Sequence, residues 1–212
     1  MNLPPESGTV FIVDDDASFL KSVSRLLRAA GFSVQAFESA EKFLEQLAPG
    51  MSGCVLADLQ MPGLNGLELQ EALAKSANPL PVVFLSAQGD IPTTVQAMRR
   101  GAEDFLTKLS PKEKLLDAIG RALARGTRER EGRERLRELR GRFAALTPRE
   151  LEVLEHVVRG RMNKEIADAL QIHERTVKLH RTNLTRRLQV QSVAELTRLV
   201  EEAGLFKRSQ AE

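Results

Sequence analysis

Short apolar runs recur through the first 120 residues, at 10–13, 33–37, 54–57, 82–85 and 104–107. Most are apolar throughout rather than alternating, as strands buried on both faces must be. Helical patterns fill the gaps. Phe19, Val23, Leu26, Leu27 and Ala30 share one face before a stop at Gly31. A second helix is predicted over 40–47. Leu67, Leu69, Leu73 and Ala74 mark a third. A fourth runs over 93–100 to Gly101, and a fifth starts near Pro111 with Leu115, Leu116, Ile119 and Leu123. Five βα units predict an α/β, doubly wound, five-stranded parallel sheet with helices on both faces.

The pattern changes after residue 123. Residues 124–142 are charged and have few apolar anchors. Glu129–Arg133, Glu131–Arg135 and Glu138–Arg142 have the i,i+4 spacing that favours a helix by about 0.2–0.5 kcal/mol each. Gly126, Gly132 and Gly141 each oppose it by roughly 1 kcal/mol. A semi-rigid, solvated helical linker is the reading; contact with DNA phosphates is its alternative. The tail, 143–208, shows four helical patterns and no strand. Thr147-Pro148-Arg149-Glu150 is a capping box with Pro at the first helical position. Asn163 opens a second helix, His173 or Glu174 a third running to Leu188, and Ser192 a fourth stopped by Gly204. Only Gln171 to His173 join the middle two, the length of a helix-turn-helix joint.

Charge supports this division. The net charge is +2 over 212 residues, but residues 1–120 carry −5, 121–142 carry +5 and 143–212 carry +2. An acidic front suits a metal ion and a basic back suits a polyanion. The expected domains are a flexible N-terminus at 1–8, an α/β domain at 9–123, the linker at 124–142 and an all-α domain at 143–208. The lone Cys54 lies inside an apolar run and reads as a buried, reduced thiol. Residues 1–8 lack the basic and apolar stretches of a signal peptide, and no run approaches the ~20 residues of a membrane helix. A cytoplasmic protein with no membrane partner is expected.

The strand ends carry the chemistry. Asp14 and Asp15 close the first run, Asp58 the third, Ser86 the fourth and Lys108 the fifth. Asp14-Asp15-Asp16 alone would read as a helix cap, Asp58 as a turn former and Lys108 as a solvated lysine. Together they meet at the sheet end where open α/β sheets bind ligands. A carboxylate that accepts a phosphoryl group needs a divalent cation, because donor and acceptor repel. Mg²⁺ (or Mn²⁺) takes oxygen ligands. Asp15 and Asp58 supply two, the backbone carbonyl of Gln60 a third, and Asp14 holds a coordinated water. Lys108 pairs with one phosphoryl oxygen and Ser86 donates to another, which is catalysis by position and charge.

Residues 9–125 resemble the receiver domain of two-component response regulators. The resemblance rests on Val13-Asp14-Asp15-Asp16, on Asp58 through Gly66, on Leu85-Ser86-Ala87 and on Lys108. It implies a flavodoxin-like fold, Asp58 as the phosphoacceptor and a histidine kinase as donor. It also implies that Ser86 and Phe105 form a switch and that the small Ala87 leaves Asp58 accessible. One departure stands out. The family has Lys-Pro with a cis peptide after the last strand, and this chain has Lys108-Leu109-Ser110-Pro111. Without proline a cis bond costs ~2.5–4 kcal/mol. Either that strain is present or the loop is rebuilt around Pro111.

The predicted helix from Arg175 to Leu188 is amphipathic, with Val177, Leu184 and Leu188 on one face. Its other faces are basic and hydroxylated, as major-groove insertion requires. Leu146 to Leu154, Asn163-Lys164-Glu165-Ile166-Ala167 and Arg175 to Arg181 closely resemble the LuxR-type helix-turn-helix. The resemblance implies that Lys178, Leu179, Arg181 and Thr182 face base edges or nearby phosphates. Asn163, Lys164, Thr176 and Arg186 would grip the backbone. Val153, Leu154, Ile166, Ala167, Leu170, Val177 and Leu184 read as core, and His173 and His180 as structural or phosphate-facing. The whole chain thus resembles a FixJ/NarL-like response regulator: a transcription factor, not an enzyme. Its expected partners are a histidine kinase, double-stranded DNA, a second copy on phosphorylation and RNA polymerase. Two rivals remain at this point. Asp14-Asp15-Asp16 superficially fits the D-x-D motif of haloacid-dehalogenase-type phosphatases. The missing proline also suits a constitutive DNA binder with a degenerate receiver.

Overall fold

A computed structural model describes residues 8–87 and 91–206. Residues 1–7 of the expected flexible N-terminus lie outside the described residues, as do 207 and 208 of the expected C-terminal domain. The chain divides into two compact units, Met1–Glu131 and Gly132–Glu212.

The first unit alternates strand and helix: β1 (Thr9–Val13), α1 (Ala17–Ala29), β2 (Ser33–Phe37), α2 (Ala40–Glu45), β3 (Gly53–Asp58), α3 (Gly66–Lys75), β4 (Val82–Ser86), α4 (Ile91–Arg99) and β5 (Asp104–Thr107). The last helix, α5 (Lys112–Ala144), runs on beyond Gly132. The strands form one sheet in the order β2-β1-β3-β4-β5, and every pairing is parallel. This is the flavodoxin-like order, with its switch point between β1 and β3.

Both faces of the sheet are apolar, which explains the unbroken runs. Phe11, Val13, Val55, Ala57 and Phe84 face one core with Phe43, Leu69 and Leu73. Val10, Ile12, Cys54, Leu56, Val83 and Leu85 face the other with Leu27 and Ile119. Burial pushes the Cys54 thiol up to about 12, so it stays protonated and inert.

Two boundaries differ from the sequence reading. The helix expected over 40–47 ends at Glu45, where Gln46 and Leu47 turn back to the Phe43 and Leu44 carbonyls. The helix expected from 93 begins at Ile91. Register fixes the working edge. Val13 lies opposite Ala57, Asp58 opposite Leu85, and Ser86 opposite Thr107. The residues that follow β1, end β3 and β4, and follow β5 therefore sit side by side.

The second unit contains α6 (Pro148–Val158), α7 (Asn163–Leu170), α8 (Glu174–Leu188) and α9 (Val193–Ala203). Val153, Leu154, Ile166, Val177, Leu184, Leu188, Leu196 and Val200 fill its core. Leu139 of α5 is buried there too, so the stretch read as solvated linker carries a core anchor, and Phe143 just beyond that stretch is another. Of the core expected here, Ala167 is also buried and Leu170 only partly so. Met162 rather than Asn163 occupies the N-cap of α7, with its N–H bonded to the Glu165 carboxylate at 2.7 Å. Gln171 ends α7 in the left-handed conformation (φ 52°), which makes the three-residue turn possible.

Gly126 shows why α5 tolerates a residue that helix propensity disfavours. A Cβ there would sit 2.9 Å from the Gly53 carbonyl oxygen and 3.3 Å from the Pro81 ring. The helix rests directly on the lower end of the sheet, and only glycine fits. Gly132 and Gly141 have open space instead. Replacing either by Ala is expected to stabilise the protein by roughly 0.5–1 kcal/mol. Gly126→Ala is expected to destabilise it by roughly 1–3 kcal/mol. Urea denaturation followed by circular dichroism checks the sign at each position.

Candidate functional site

The upper edge of the sheet gathers three carboxylates and one ammonium. Asp14 follows β1 and is fully buried. Its Oδ1 accepts from the Asp16 N–H at 2.9 Å, and its Oδ2 lies 2.6 Å from Lys108 Nζ. Asp58 ends β3; its Oδ1 accepts from the Gln60 N–H at 3.3 Å and its Oδ2 from Lys108 Nζ at 2.7 Å. Asp15, next to Asp14 in the chain, is exposed. Asp14, Asp15 and Asp58 each offer an oxygen within 4.8 Å of the others. Such an all-oxygen set fits a hard divalent cation. Asp16 takes a different task. Its carboxylate caps α1 by accepting from Ser18 N–H at 2.8 Å and Phe19 N–H at 3.1 Å.

The electrostatics follow from burial. Loss of solvent pushes the Asp14 carboxyl above its ordinary range, and the Lys108 hydrogen bond only partly offsets this. For Lys108, burial favours the neutral amine, but the hydrogen bonds to Asp14 and Asp58 outweigh it and the net direction is upward. The ammonium is thus held charged by the acids that it neutralises.

The loop that carries Lys108 settles the question left by the missing proline. No cis peptide occurs among the described residues. The Lys108 N–H donates to the Ser86 carbonyl at 2.9 Å, and Ser110 N–H closes a turn on the Thr107 carbonyl at 2.9 Å. Leu109 projects outward, 93% exposed. The loop is rebuilt with trans bonds, and Lys108 still reaches both carboxylates. The departure that suited a degenerate receiver therefore does not displace Lys108.

The other expected residues are close by. Ser86 ends β4 and is buried, while Ala87 and Gln60 are exposed. Phe105 in β5 is half-buried, its ring 6.1 Å from that of Phe84. Sequence reasoning missed Phe19. Its ring lies under Lys108, with Nζ 4.3 Å from the ring centroid.

In the second unit, α7 and α8 present the expected basic and hydroxyl groups. Lys164, Lys178, Leu179, Thr182 and Arg186 are exposed, and Thr176 is half-buried. Leu179 stands out as an apolar side chain 59% exposed on a helix whose core face is Val177, Leu184 and Leu188. Arg181 donates to the Asn163 Oδ1 at 2.8 Å, tying the two helices together. Exposed Arg161 and Arg175 flank the starts of α7 and α8 and were not among the expected contacts. Neither lies on the amphipathic helix face that guided the reading.

Other arginines are structural. Arg149 donates to the Leu170 carbonyl at 2.6 Å, Arg187 to the Ala145 carbonyl at 2.8 Å, and Arg142 to the Leu188 carbonyl. Arg140 reaches the Ala203 carbonyl at 3.4 Å. Four helix C-termini are thus capped by guanidinium groups, where orphan carbonyls and the helix dipole favour a cation. Glu150 is buried beside them. Burial would raise its pKa, but the Thr147 N–H and hydroxyl and the charges of Arg187 and His180 hold it low.

Comparison with known proteins matches each unit. A family model described as response regulator receiver domain covers residues 10–120, and one described as bacterial regulatory proteins, luxR family, covers 144–200. The chain belongs to the two-component response regulators. The response regulator protein TodT of Pseudomonas putida is 38% identical over 200 residues, covering 94% of this chain and 88% of that one. The transcriptional regulatory protein FixJ of Bradyrhizobium diazoefficiens is 37% identical over 200 residues, covering 94% and 97%. Among solved structures, response regulator StyR matches with a TM-score of 0.82 and 47% identity over 92% of this chain and 98% of that one.

Receiver domains bind Mg²⁺ through an acidic pocket, and the cluster found here is of that kind. A receiver implies a histidine kinase partner and a LuxR-type unit implies DNA binding. These relatives are transcription regulators, not enzymes, so the phosphatase reading of Asp14-Asp15-Asp16 falls. Its physical ground fails as well, since Asp16 is engaged as a helix cap. Among the described residues no helix is long and apolar enough to cross a membrane.

Two outcomes are expected of these sites. The folded pKa of Asp14 is raised, so the stability linked to its proton is present at low pH and lost as pH rises through the folded value. Ionised Asp14 is therefore a net cost at neutral pH. Asp14→Asn keeps an acceptor for Asp16 and leaves Lys108 paired with Asp58. It is expected to raise the metal-free melting midpoint by a few degrees and to reduce the gain on adding Mg²⁺; calorimetry at pH 7 measures both.

The second outcome separates the two kinds of basic residue. Lys178→Ala is expected to leave the melting midpoint unchanged and to reduce the salt slope of DNA binding by about 1. Arg142→Ala is expected to lower the stability of the second unit by about 1 kcal/mol and to leave that slope unchanged. Salt titrations of DNA binding beside melting curves give both readings.

Proposed function

We propose that Asp58 accepts a phosphoryl group from a histidine kinase and that its phosphorylation controls dimerisation and sequence-specific DNA binding to regulate transcription. One observation carries this reading. Lys108 bridges Asp14 and Asp58 at 2.6 and 2.7 Å, and Asp15 completes an oxygen cluster with them. The three carboxylates and the Gln60 carbonyl would hold Mg²⁺ (or Mn²⁺). Bound there, the cation screens the repulsion between Asp58 and an incoming phosphoryl group.

An Asp58 carboxylate oxygen attacks phosphorus, the phosphorus–nitrogen bond of the donor histidine breaks, and the histidine keeps the electron pair. An acyl phosphate results. Lys108 shifts from the Asp58 carboxylate to a phosphoryl oxygen, and the Ser86 hydroxyl turns to donate to another. Ala87 leaves the approach open. As Ser86 turns, Phe105 moves inward beside Phe84.

The surface that changes partners is α4. Ile91, Val95 and Met98 are exposed at helical spacing, with Ile91 80% exposed, and form an apolar stripe suited to a second copy. Phosphorylation shifts a pre-existing equilibrium toward the dimer. In the dimer, two α8 helices meet half-sites about one helical turn apart. Lys178, Leu179, Arg181 and Thr182 face base edges or nearby phosphates, while Asn163, Lys164, Thr176 and Arg186 grip the backbone. The bound dimer then engages RNA polymerase in the cytoplasm.

Acetyl phosphate with Mg²⁺ tests this. The wild type is expected to gain the mass of one phosphoryl group, to sediment as a dimer and to bind its DNA more tightly; Asp58→Ala is expected to do none of these. Equal mass gain by both proteins removes Asp58 as acceptor. An unchanged assembly and DNA affinity on phosphorylation removes the switch.

A further inference from the structure

Lys108 has a third neighbour besides its two carboxylates. The Phe19 ring face lies against the ammonium, 4.3 Å from Nζ to the centroid. The loop fixes the backbone of the lysine through its N–H on the Ser86 carbonyl at 2.9 Å, and leaves the side chain to its other neighbours. Leu109 packs on nothing, at 93% exposed, and the turn is closed by Ser110 N–H on the Thr107 carbonyl and by the 3.1 Å contact of their hydroxyls. Phe19, by contrast, is firmly placed. Its N–H is bonded to the Asp16 carboxylate that caps α1, and Asp16 N–H is bonded to Asp14. Its ring packs against the core that includes Leu20, Leu27 and Leu85.

We propose that Phe19 is a positioning residue for Lys108: its ring face holds the ammonium at the acidic edge while the lysine exchanges the Asp58 carboxylate for a phosphoryl oxygen. The proposal rests on the reading of Asp58 as phosphoacceptor. The chemistry favours it. An ammonium moving between anionic partners keeps a constant attraction to the negative face of an aromatic ring. That attraction has no fixed hydrogen-bond direction, so it restrains the group without locking it to one acceptor. An aliphatic side chain of the same bulk would fill the space and supply no such attraction.

Acetyl phosphate and Mg²⁺ again serve as the probe, with the full chain. Phe19→Leu is expected to be phosphorylated roughly three- to tenfold more slowly than wild type, with a melting midpoint lowered by no more than a few degrees. Phe19→Tyr and Phe19→Trp, which restore a ring face, are expected to stay near the wild-type rate. In a Lys108→Ala background the Phe19→Leu effect is expected to vanish. The chain has no tryptophan, so Phe19→Trp also installs a single fluorophore. Its emission is expected to change on adding beryllofluoride, and not to change when Lys108→Ala is added.

A Phe19→Leu rate equal to wild type overturns the proposal. So does equal slowing by Tyr and Trp, which would mark bulk as the cause, or a Phe19→Leu effect that persists without Lys108. If the wild type itself takes up no phosphate, the phosphoacceptor reading fails instead, and the Phe19→Trp emission without beryllofluoride, compared with and without Lys108→Ala, still reports whether ring and lysine interact.

Discussion

Carboxylates crowded at one sheet edge repel one another, and two of these are removed from water. The Lys108 ammonium, 2.6 Å from Asp14 and 2.7 Å from Asp58, is what makes that edge tolerable in the absence of a cation. The arrangement depends on strand order. β3 lies beside β1, so Asp14 and Asp58 become neighbours although 43 residues separate them in sequence. β5 lies beyond β4, so Lys108 must reach back across the end of β4. Its N–H bond to the Ser86 carbonyl anchors that crossing. The backbone of the proposed switch hydroxyl and the backbone of the lysine are therefore one hydrogen bond apart.

In the second unit, positive charge has two uses that composition cannot separate. Arg140, Arg142, Arg149 and Arg187 bond to carbonyls at helix ends. Lys164, Lys178 and Arg186 are exposed on the helices that resemble a DNA reader. The first group sets the shape that displays the second. This limits what net charge can say of a nucleic-acid-binding domain, because part of a basic surplus can serve helix termini rather than phosphates.

Strands and helices were legible in the sequence where one physical term dominated. Doubly buried strands leave unbroken apolar runs, and capping residues such as Thr147, Ser192 and Gly204 mark helix ends locally. The acidic edge was legible because Asp14, Asp58, Ser86 and Lys108 each stand at a strand end. What sequence obscured was decided by contacts across the fold. Gly126 reads as a helix breaker, yet it is required by the approach of α5 to Gly53 and Pro81. Arg135 and Arg142 read as partners of Glu131 and Glu138, yet they bond to Glu202 and the Leu188 carbonyl. Leu139 reads as an isolated apolar residue in a charged run, yet it is 5% exposed in a core. Local spacing cannot foresee a partner more than 40 residues away.

The run Asp14-Asp15-Asp16 shows how one short motif escapes a single description. Three identical side chains in sequence meet three environments. Asp14 turns inward and pairs with Lys108; Asp15 stays exposed with an oxygen in the cluster; Asp16 caps α1. The cap is not incidental to the pocket. The bond from Asp16 N–H to Asp14 fixes the turn, and the bonds from Ser18 and Phe19 N–H to Asp16 start the helix there. That start places Phe19 one helical turn along, with its ring against the ammonium that neutralises Asp14. The motif thus supplies the acids and, through the helix it begins, places a contact for their counter-charge. A rebuilt loop after β5 can then hold Lys108 without the rigid dipeptide the family pattern leads one to expect.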